Sequence, residues 1–158
     1  MLSINLRHLG DHEIRVQGEL SPAEMDLGLN DEMIRAEQPV YYDLTVEKMQ
    51  DSLLVKGPLA TVLDCQCVRC LKPFKQKLEL PDWTVLLPLT GEDKVAVDND
   101  CVDLTPYIRE DILLQIPRHP LCKPDCIGLK PKARKNAGQS GSTFSAWAEL
   151  DKLKLKTD

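Results

Sequence analysis

Three of the six cysteines of this chain fall within six residues, and no other stretch constrains the fold as strongly. Cys65, Cys67 and Cys70 follow a strand-like run and precede a turn signal at Pro73. The x2 spacing between Cys67 and Cys70 lets two thiolates converge on one metal ion from a tight turn. The sequence therefore predicts a strand–turn–strand junction that presents sulfur ligands.

A second cysteine pair lies far downstream, in a proline-rich segment, and could supply two further ligands. The four-sulfur set is Cys67, Cys70, Cys122 and Cys126. Four thiolates would form a closed, tetrahedral zinc site of the structural type and would fix the proline-rich loop to the hairpin. Reduced thiols without metal are the alternative. Cys65 and Cys101 could be substitute ligands or small buried hydrophobic residues, and His119 is a further candidate ligand.

The length of 158 residues suits one domain with an attached tail. The N-terminus has no basic region followed by an apolar stretch, and about 18 apolar residues never run together. We therefore expect a cytoplasmic protein with no membrane partner. In that reducing compartment, closely spaced cysteines bind metal or remain thiols more often than they form disulfides.

The net charge of −5 conceals an asymmetry along the chain. Residues 1–60 carry 5 Lys and Arg against 11 Asp and Glu, whereas residues 130–158 carry 7 against 3. A basic end on an acidic body is typical of proteins that contact RNA or an acidic partner. A solvated tail without a partner fits the same charge pattern.

Alternating polar and apolar residues predict seven β-strands within the first 90 residues. The predicted strands are residues 3–7, 13–17, 40–48, 53–57, 59–63, 74–80 and 83–87. Between the second and third strands, Ser21-Pro22-Ala23-Glu24 has the cap and acidic residue of a capping box and predicts a helical turn. The segments 30–39 and 92–100 are predicted to be loops.

One clear helix is predicted over residues 103–116. Asp103 can cap it, Pro117 ends it, and apolar residues recur at every fourth position from Leu104. Residues 117–135 contain four prolines and cannot be regular. Residues 136–142 have a linker composition, and residues 144–156 have the spacing of a short amphipathic helix with Phe144 and Trp147 on one side.

These patterns predict an α+β fold in which an antiparallel meander, able to curl toward a barrel, is packed by one main helix. The predicted organisation is a single domain over residues 1–135, followed by a flexible linker and a basic C-terminal amphipathic helix over residues 136–158. Basic residues beside the cysteine pairs are the candidates for phosphate contacts. They are Arg69, Lys72, Lys130, Lys132, Arg134 and Lys135.

The sequence offers little for catalysis, so we expect no enzyme. The glycines Gly57, Gly91 and Gly128 are isolated and make no phosphate-binding loop. Cys122 and His119 are close in sequence, but no acidic residue stands at a position that would identify it as the group orienting the histidine for catalysis. The carboxylates of residues 92–103 have no basic or metal-ligand context.

Two blocks of this sequence resemble the YceD family. The first is Cys67-Val68-Arg69-Cys70-Leu71-Lys72-Pro73-Phe74, which is similar to the family signature Cys-x-Arg-Cys-x-x-Pro-Phe. The second starts at Val102-Asp103-Leu104 and continues as an acidic helix that ends at Ile116-Pro117. The order of meander, cysteine pair, acidic loop, helix and second cysteine pair also matches.

The resemblance implies a role in the accumulation of large-subunit ribosomal RNA in bacteria rather than a particular reaction. Many members follow the second pair with Gly-Leu-Cys-x-x-Cys-Gly, whereas here Lys130 and Ala133 stand where those two thiols would be. If the C-terminal quartet holds zinc in members of the family, a metal can bind here only when Cys67 and Cys70 take part.

The leading functional hypothesis is a non-enzymatic ribosome-biogenesis factor. It would support accumulation of large-subunit ribosomal RNA by binding that RNA or a pre-ribosomal particle. The alternative is a protein–protein adaptor whose acidic body docks on a basic ribosomal protein, with Phe144 and Trp147 in a helix that folds on binding. Zinc is the candidate cofactor, with metal-free reduced thiols as the alternative.

Overall fold

The protein is described from a computed structural model, which places residues 1–10, 12–29 and 32–129. Its elements in chain order are β1 (Ser3–Asn5), β2 (Ile14–Leu20), α1 (Pro22–Met25), β3 (Ile34–Arg35), β4 (Val40–Met49), β5 (Ser52–Gln66), β6 (Pro73–Pro88), β7 (Cys101–Asp103) and α2 (Thr105–Gln115). The predicted linker and C-terminal helix, residues 136–158, lie outside the described residues.

The main sheet is an antiparallel meander, as the alternating sequence predicts. Strands β4, β5 and β6 pair in sequence order, and β2 lies outside β4. The long β5 shares one edge between two partners, because β4 pairs with its first half and the short β3 pairs with Cys65 and Asp64 near its end. Among the described residues no pairing joins β2 to β6, so the sheet curls as a half-barrel rather than a closed one.

Strands β5 and β6 are each longer than predicted. The sequence predicts separate strands on either side of Pro58 and of Pro81-Asp82, but both breaks lie inside continuous strands. The pairing steps from Gly57–Trp83 to Leu59–Leu80, so β6 carries one extra residue there. This bulge reverses the alternation of β6, so that Leu78 before it and Trp83 after it are both buried.

Gly57 lies opposite this bulge, and the backbone of β4 passes so close to it that a side chain would not fit. A Cβ atom at position 57 would lie 2.2 Å from the carbonyl oxygen of Asp43, and the φ angle of Gly57 is +149°. Any side chain here would force the two strands apart. The glycine therefore allows β4 and β5 to stay in contact through the bend.

The core lies on one face of the meander. Along β5 the buried side chains are Leu53, Val55, Leu59, Thr61, Leu63 and Cys65, and the residues between them are less buried or exposed. Leu44 and Val46 of β4 are fully buried beside them. The predicted alternation of β4 is thus confirmed.

Helix α2 begins at Thr105, two residues later than the sequence predicts. Asp103 does contribute, since its Oδ1 accepts a hydrogen bond of 2.9 Å from the backbone N–H of Thr105. Leu104, Ile108 and Ile112 are fully buried, as the apolar stripe predicts. Asp111, on another side of the helix, accepts a 2.6 Å hydrogen bond from Nε1 of Trp83 in β6.

The two-stranded sheet of β1 and β7 and the helical turn α1 complete the described fold. The capping box of Ser21 and Glu24 is present at α1, as predicted. Strand β7 pairs with β1 in a second, two-stranded sheet, although the sequence gives no strand signal there. Strand β3 lies in a segment predicted to be loop. None of the helices in the described ranges has the length and apolar character needed to cross a membrane.

Candidate metal centre

The two cysteine pairs meet at one end of the meander, which confirms that the second pair folds back onto the first. The Sγ atoms of Cys67 and Cys126 are 3.8 Å apart, and those of Cys70 and Cys122 are 3.6 Å apart. All four Sγ atoms lie within 4.8 Å of one another. Four cysteines from segments about 50 residues apart in sequence therefore form one cluster.

The first pair is positioned by the tight turn that joins β5 to β6. The backbone N–H of Cys67 donates to the carbonyl of Lys72 (2.9 Å), and the N–H of Leu71 donates to the carbonyl of Cys67 (2.8 Å). Leu71 has a φ of +60°, the left-handed conformation that closes such a turn. The side-chain amide of Gln66 also donates to the carbonyl of Leu71 (2.9 Å). These bonds bring Cys67 and Cys70 to the same side of the turn.

The second pair is held against this turn by backbone and side-chain contacts. The N–H of Val68 donates to the carbonyl of Pro120 (3.0 Å), and Nη1 of Arg69 donates to the carbonyl of Cys126 (3.0 Å). Gly128, at φ +87°, lies so close that a Cβ there would be 3.3 Å from the carbonyl oxygen of Arg69. The loop is thereby fixed on both sides of the cysteine cluster.

The sulfur positions fit a tetrahedral metal site. A zinc–sulfur bond of about 2.3 Å implies a sulfur–sulfur edge of about 3.8 Å in a regular tetrahedron. The sulfur–sulfur distances of 3.6 and 3.8 Å are near this edge. The remaining sulfur–sulfur distances are at most 4.8 Å, so a small inward movement of the side chains would complete the tetrahedron. A site with four sulfur ligands is closed to water and substrate, which is typical of structural zinc.

The surroundings favour a thiolate at one of the four sulfurs. The pKa of Cys67 is lowered to about 6, chiefly by the backbone N–H of Cys122 and then by those of Cys70 and Arg69. The pKa of Cys122 is raised to about 12, because its thiol is hydrogen-bonded to Cys70 and is desolvated. Neighbouring thiols thus oppose further ionisation, and a bound cation would remove that opposition.

The remaining candidate ligands lie elsewhere. Among the described residues, the cluster able to hold a metal contains only the four cysteines named above, and His119 is exposed outside it. Cys65 is buried in the core of the sheet, and Cys101 is in β7. Because the cluster uses Cys67 and Cys70, it does not need thiols at positions 130 and 133.

Two of the six predicted RNA-binding residues can be located. Arg69 and Lys72 are exposed on the turn that carries the first cysteine pair. Lys130, Lys132, Arg134 and Lys135 lie outside the described residues. The sequence reading did not single out Lys123, which is exposed between Cys122 and Cys126, nor the exposed apolar residues beside the cysteines. Lys123 directly follows the ligand candidate Cys122, and this position is the sequence signal that could have found it.

Comparison with known proteins adds a family and several relatives. A family model described as "Large ribosomal RNA subunit accumulation protein YceD" matches residues 55–154. Uncharacterised proteins of Mycobacterium tuberculosis and Mycobacterium bovis are 32% identical over 123 residues, which is 71% of this chain and 57% of each relative. A protein of Mycobacterium leprae is 28% identical over 116 residues, 68% of this chain and 54% of the relative. The chain thus spans little more than half the length of these relatives. No solved structure matches it significantly.

Proposed function

Since this chain belongs to the YceD family, whose description names accumulation of the large ribosomal RNA subunit, we propose that it is a ribosome-biogenesis factor acting in the cytoplasm. It would support accumulation of that RNA by binding it, or a pre-ribosomal particle, without catalysing a reaction. The observation that carries the RNA-binding part is the charge around the cysteine cluster. Residues 65–77 contain Arg69, Lys72, Lys75 and Lys77 and no Asp or Glu.

These four cations lie at the surface of a region with a fixed backbone. All four are exposed, on the turn and the first part of β6. Nζ of Lys75 lies 2.9 Å from Oδ1 of Asp64 in an ion pair. Neither Arg69 nor Lys72 forms an ion pair with any described residue. Cations that form no ion pair can contact the phosphates of a polyanion. Each such contact favours binding, because it releases counterions that are condensed on the nucleic acid.

Zinc in the four-sulfur cluster is the second part of the proposal. Cys67, Cys70, Cys122 and Cys126 would hold it, and its role would be to join the turn to the loop. A closed site of this kind supports a structural role and gives no position for a substrate. The proposal of a non-enzymatic protein is therefore consistent with the donor set.

RNA binding is tested by filter binding of the full chain at several salt concentrations. We expect the affinity for large-subunit ribosomal RNA to fall as salt rises. Replacing Lys130, Lys132, Arg134 and Lys135 with alanine should reduce the slope by about 0.7 for each lost phosphate contact with single-stranded RNA. The control replaces Lys48 and Lys94, both exposed on the body, and should leave the slope unchanged. An unchanged slope in the first variant would remove that segment from the RNA-binding surface.

An adaptor for a basic ribosomal protein is the second candidate. It is favoured by the acidic first 60 residues, which carry 11 carboxylates against 5 cations. Pull-down from cells before and after nuclease treatment separates the two functions. An adaptor keeps its protein partner when RNA is digested, whereas an RNA-binding factor loses the particle.

A further inference from the structure

The turn and loop that carry the cysteines expose several aliphatic side chains. They are Val68 (36% exposed), Leu71 (46%), Ile127 (92%) and Leu129 (65%). We call this surface, together with the cations Arg69, Lys72 and Lys123, the cysteine tip. Four of the ten large hydrophobic residues exposed in the described part of the chain thus occur in two short segments.

These two segments form one surface. Gly128, between Ile127 and Leu129, packs against the backbone of Arg69, which follows Val68 directly. The hydrogen bond from Arg69 Nη1 to the carbonyl of Cys126 holds the same two segments together. Exposed apolar residues that are scattered singly need no explanation. Exposed apolar residues that lie together on segments joined by hydrogen bonds indicate a binding surface.

The charge of the tip selects the class of partner. The two segments that build it, residues 65–77 and 117–129, contain six Lys and Arg against one carboxylate, on a chain whose net charge is −5. Within the described ranges, Arg69, Lys72 and Lys123 form no ion pair. A surface that combines apolar side chains with cations and almost no acidic groups is complementary to an anionic partner that also has apolar faces.

We propose that the cysteine tip binds unpaired bases of single-stranded RNA. This inference rests on the proposed function, because it specifies which form of RNA the protein takes. A double helix presents phosphates, 2′-hydroxyls and a shallow minor groove, and it stacks its base faces inside, so it offers nothing to the four aliphatic residues. An unpaired base offers a flat apolar face, and its phosphate can contact a neighbouring cation at the same time.

The test measures binding of the full chain to a fluorescently labelled, non-self-complementary RNA of a dozen nucleotides, alone and annealed to its complement. The tip variant is Ile127→Ser with Leu129→Ser, and the matched control is Leu114→Ser, which removes a 79% exposed leucine on α2. We expect the wild type to prefer the single strand. The tip variant should lose roughly tenfold in affinity for the single strand, because it removes two aliphatic side chains that the bases would cover. It should lose little affinity for the duplex, and the control should lose neither.

Three other outcomes are informative. If the chain binds RNA but the tip variant keeps its single-strand affinity, the inference about the tip is wrong while the proposed function stands. If the wild type binds neither form, the inference about the tip is wrong, whereas the proposed function fails only if filter binding also detects no affinity for large-subunit ribosomal RNA. If the tip variant leaves RNA affinity intact but loses a protein partner that survives nuclease in pull-down, the tip is a protein-binding surface and the inference is overturned. Unchanged circular dichroism shows that the variant is folded.

Discussion

The sheet and the cysteine end of this molecule are held together by different means. In the meander, Leu44, Val46, Leu53, Val55 and Leu63 are fully buried. At the cysteine end, only Cys67 is buried among residues 66–72, and only Pro120 among residues 117–129. Apolar burial therefore stabilises the sheet, whereas the loop has almost none and depends on hydrogen bonds and on the four sulfurs.

The two regions should therefore respond to different perturbations. A region with its own core is sensitive to loss of side-chain volume. A region with little core is sensitive to loss of a cross-link, as in small domains that need a metal to fold.

The largest effect is expected from a cavity in the sheet. Leu44→Ala should lower the free energy of unfolding by about 2–5 kcal/mol, because the side chain of Leu44 in β4 is fully buried in the core and its loss leaves a cavity. Urea denaturation followed by circular dichroism measures it. Leu86→Ala is the matched control, since Leu86 is 58% exposed on β6 and should change stability little. Equal losses in the two variants would contradict this location of the core.

A smaller effect is expected at the bend. Gly57→Ala should cost about 1–3 kcal/mol, because the new Cβ would meet the carbonyl oxygen of Asp43 and the backbone is in a conformation that alanine rarely adopts. Gly10→Ala is the control, since a Cβ at Gly10 has no neighbour within 4 Å. The same denaturation measurement applies, and a neutral Gly57→Ala would show that β4 and β5 are not in close contact there.

The smallest global effect is expected from chelation. Removing metal should leave the unfolding of the sheet nearly unchanged but should release the loop, since its other contacts are few. Hydrogen exchange should then show lost protection at the amides of Val68 and Cys126, whose bonds join or shape the cysteine end. The amide protection of β4 and β5 should persist. Loss of protection across the whole sheet would mean that the two regions are not energetically separate.

The sequence predicted those parts of the fold that depend on local pattern. Alternation is enough for β4, and the cap and acidic residue are enough for the turn at Ser21 and Glu24. The spacing of the cysteines, with the downstream pair, predicted that the two pairs meet. These features are readable because each depends on residues close together in the chain or on side chains of unusual chemistry.

What the sequence could not predict depends on partners far away along the chain. Strand β3 is two residues long and exists because β5 extends beyond β4 to pair with it, and β7 exists because β1 lies beside it. The breaks predicted at Pro58 and Pro81 vanish because one bulge lets two long strands stay paired. The exposure of Ile127 and Leu129 also escapes pattern, since apolar residues are usually buried.

The proposed structural role of the cysteine cluster requires the four sulfurs to hold a metal ion that joins the loop to the turn. Metal analysis of the full chain, purified under reducing conditions with zinc present in the growth medium, tests it most directly. We predict about one zinc ion per chain, lost in Cys70→Ser and in Cys122→Ser but retained in Cys101→Ser, whose cysteine lies in β7 outside the cluster. A metal-free wild type with four readily alkylated thiols, or equal zinc in all three variants, would contradict the claim.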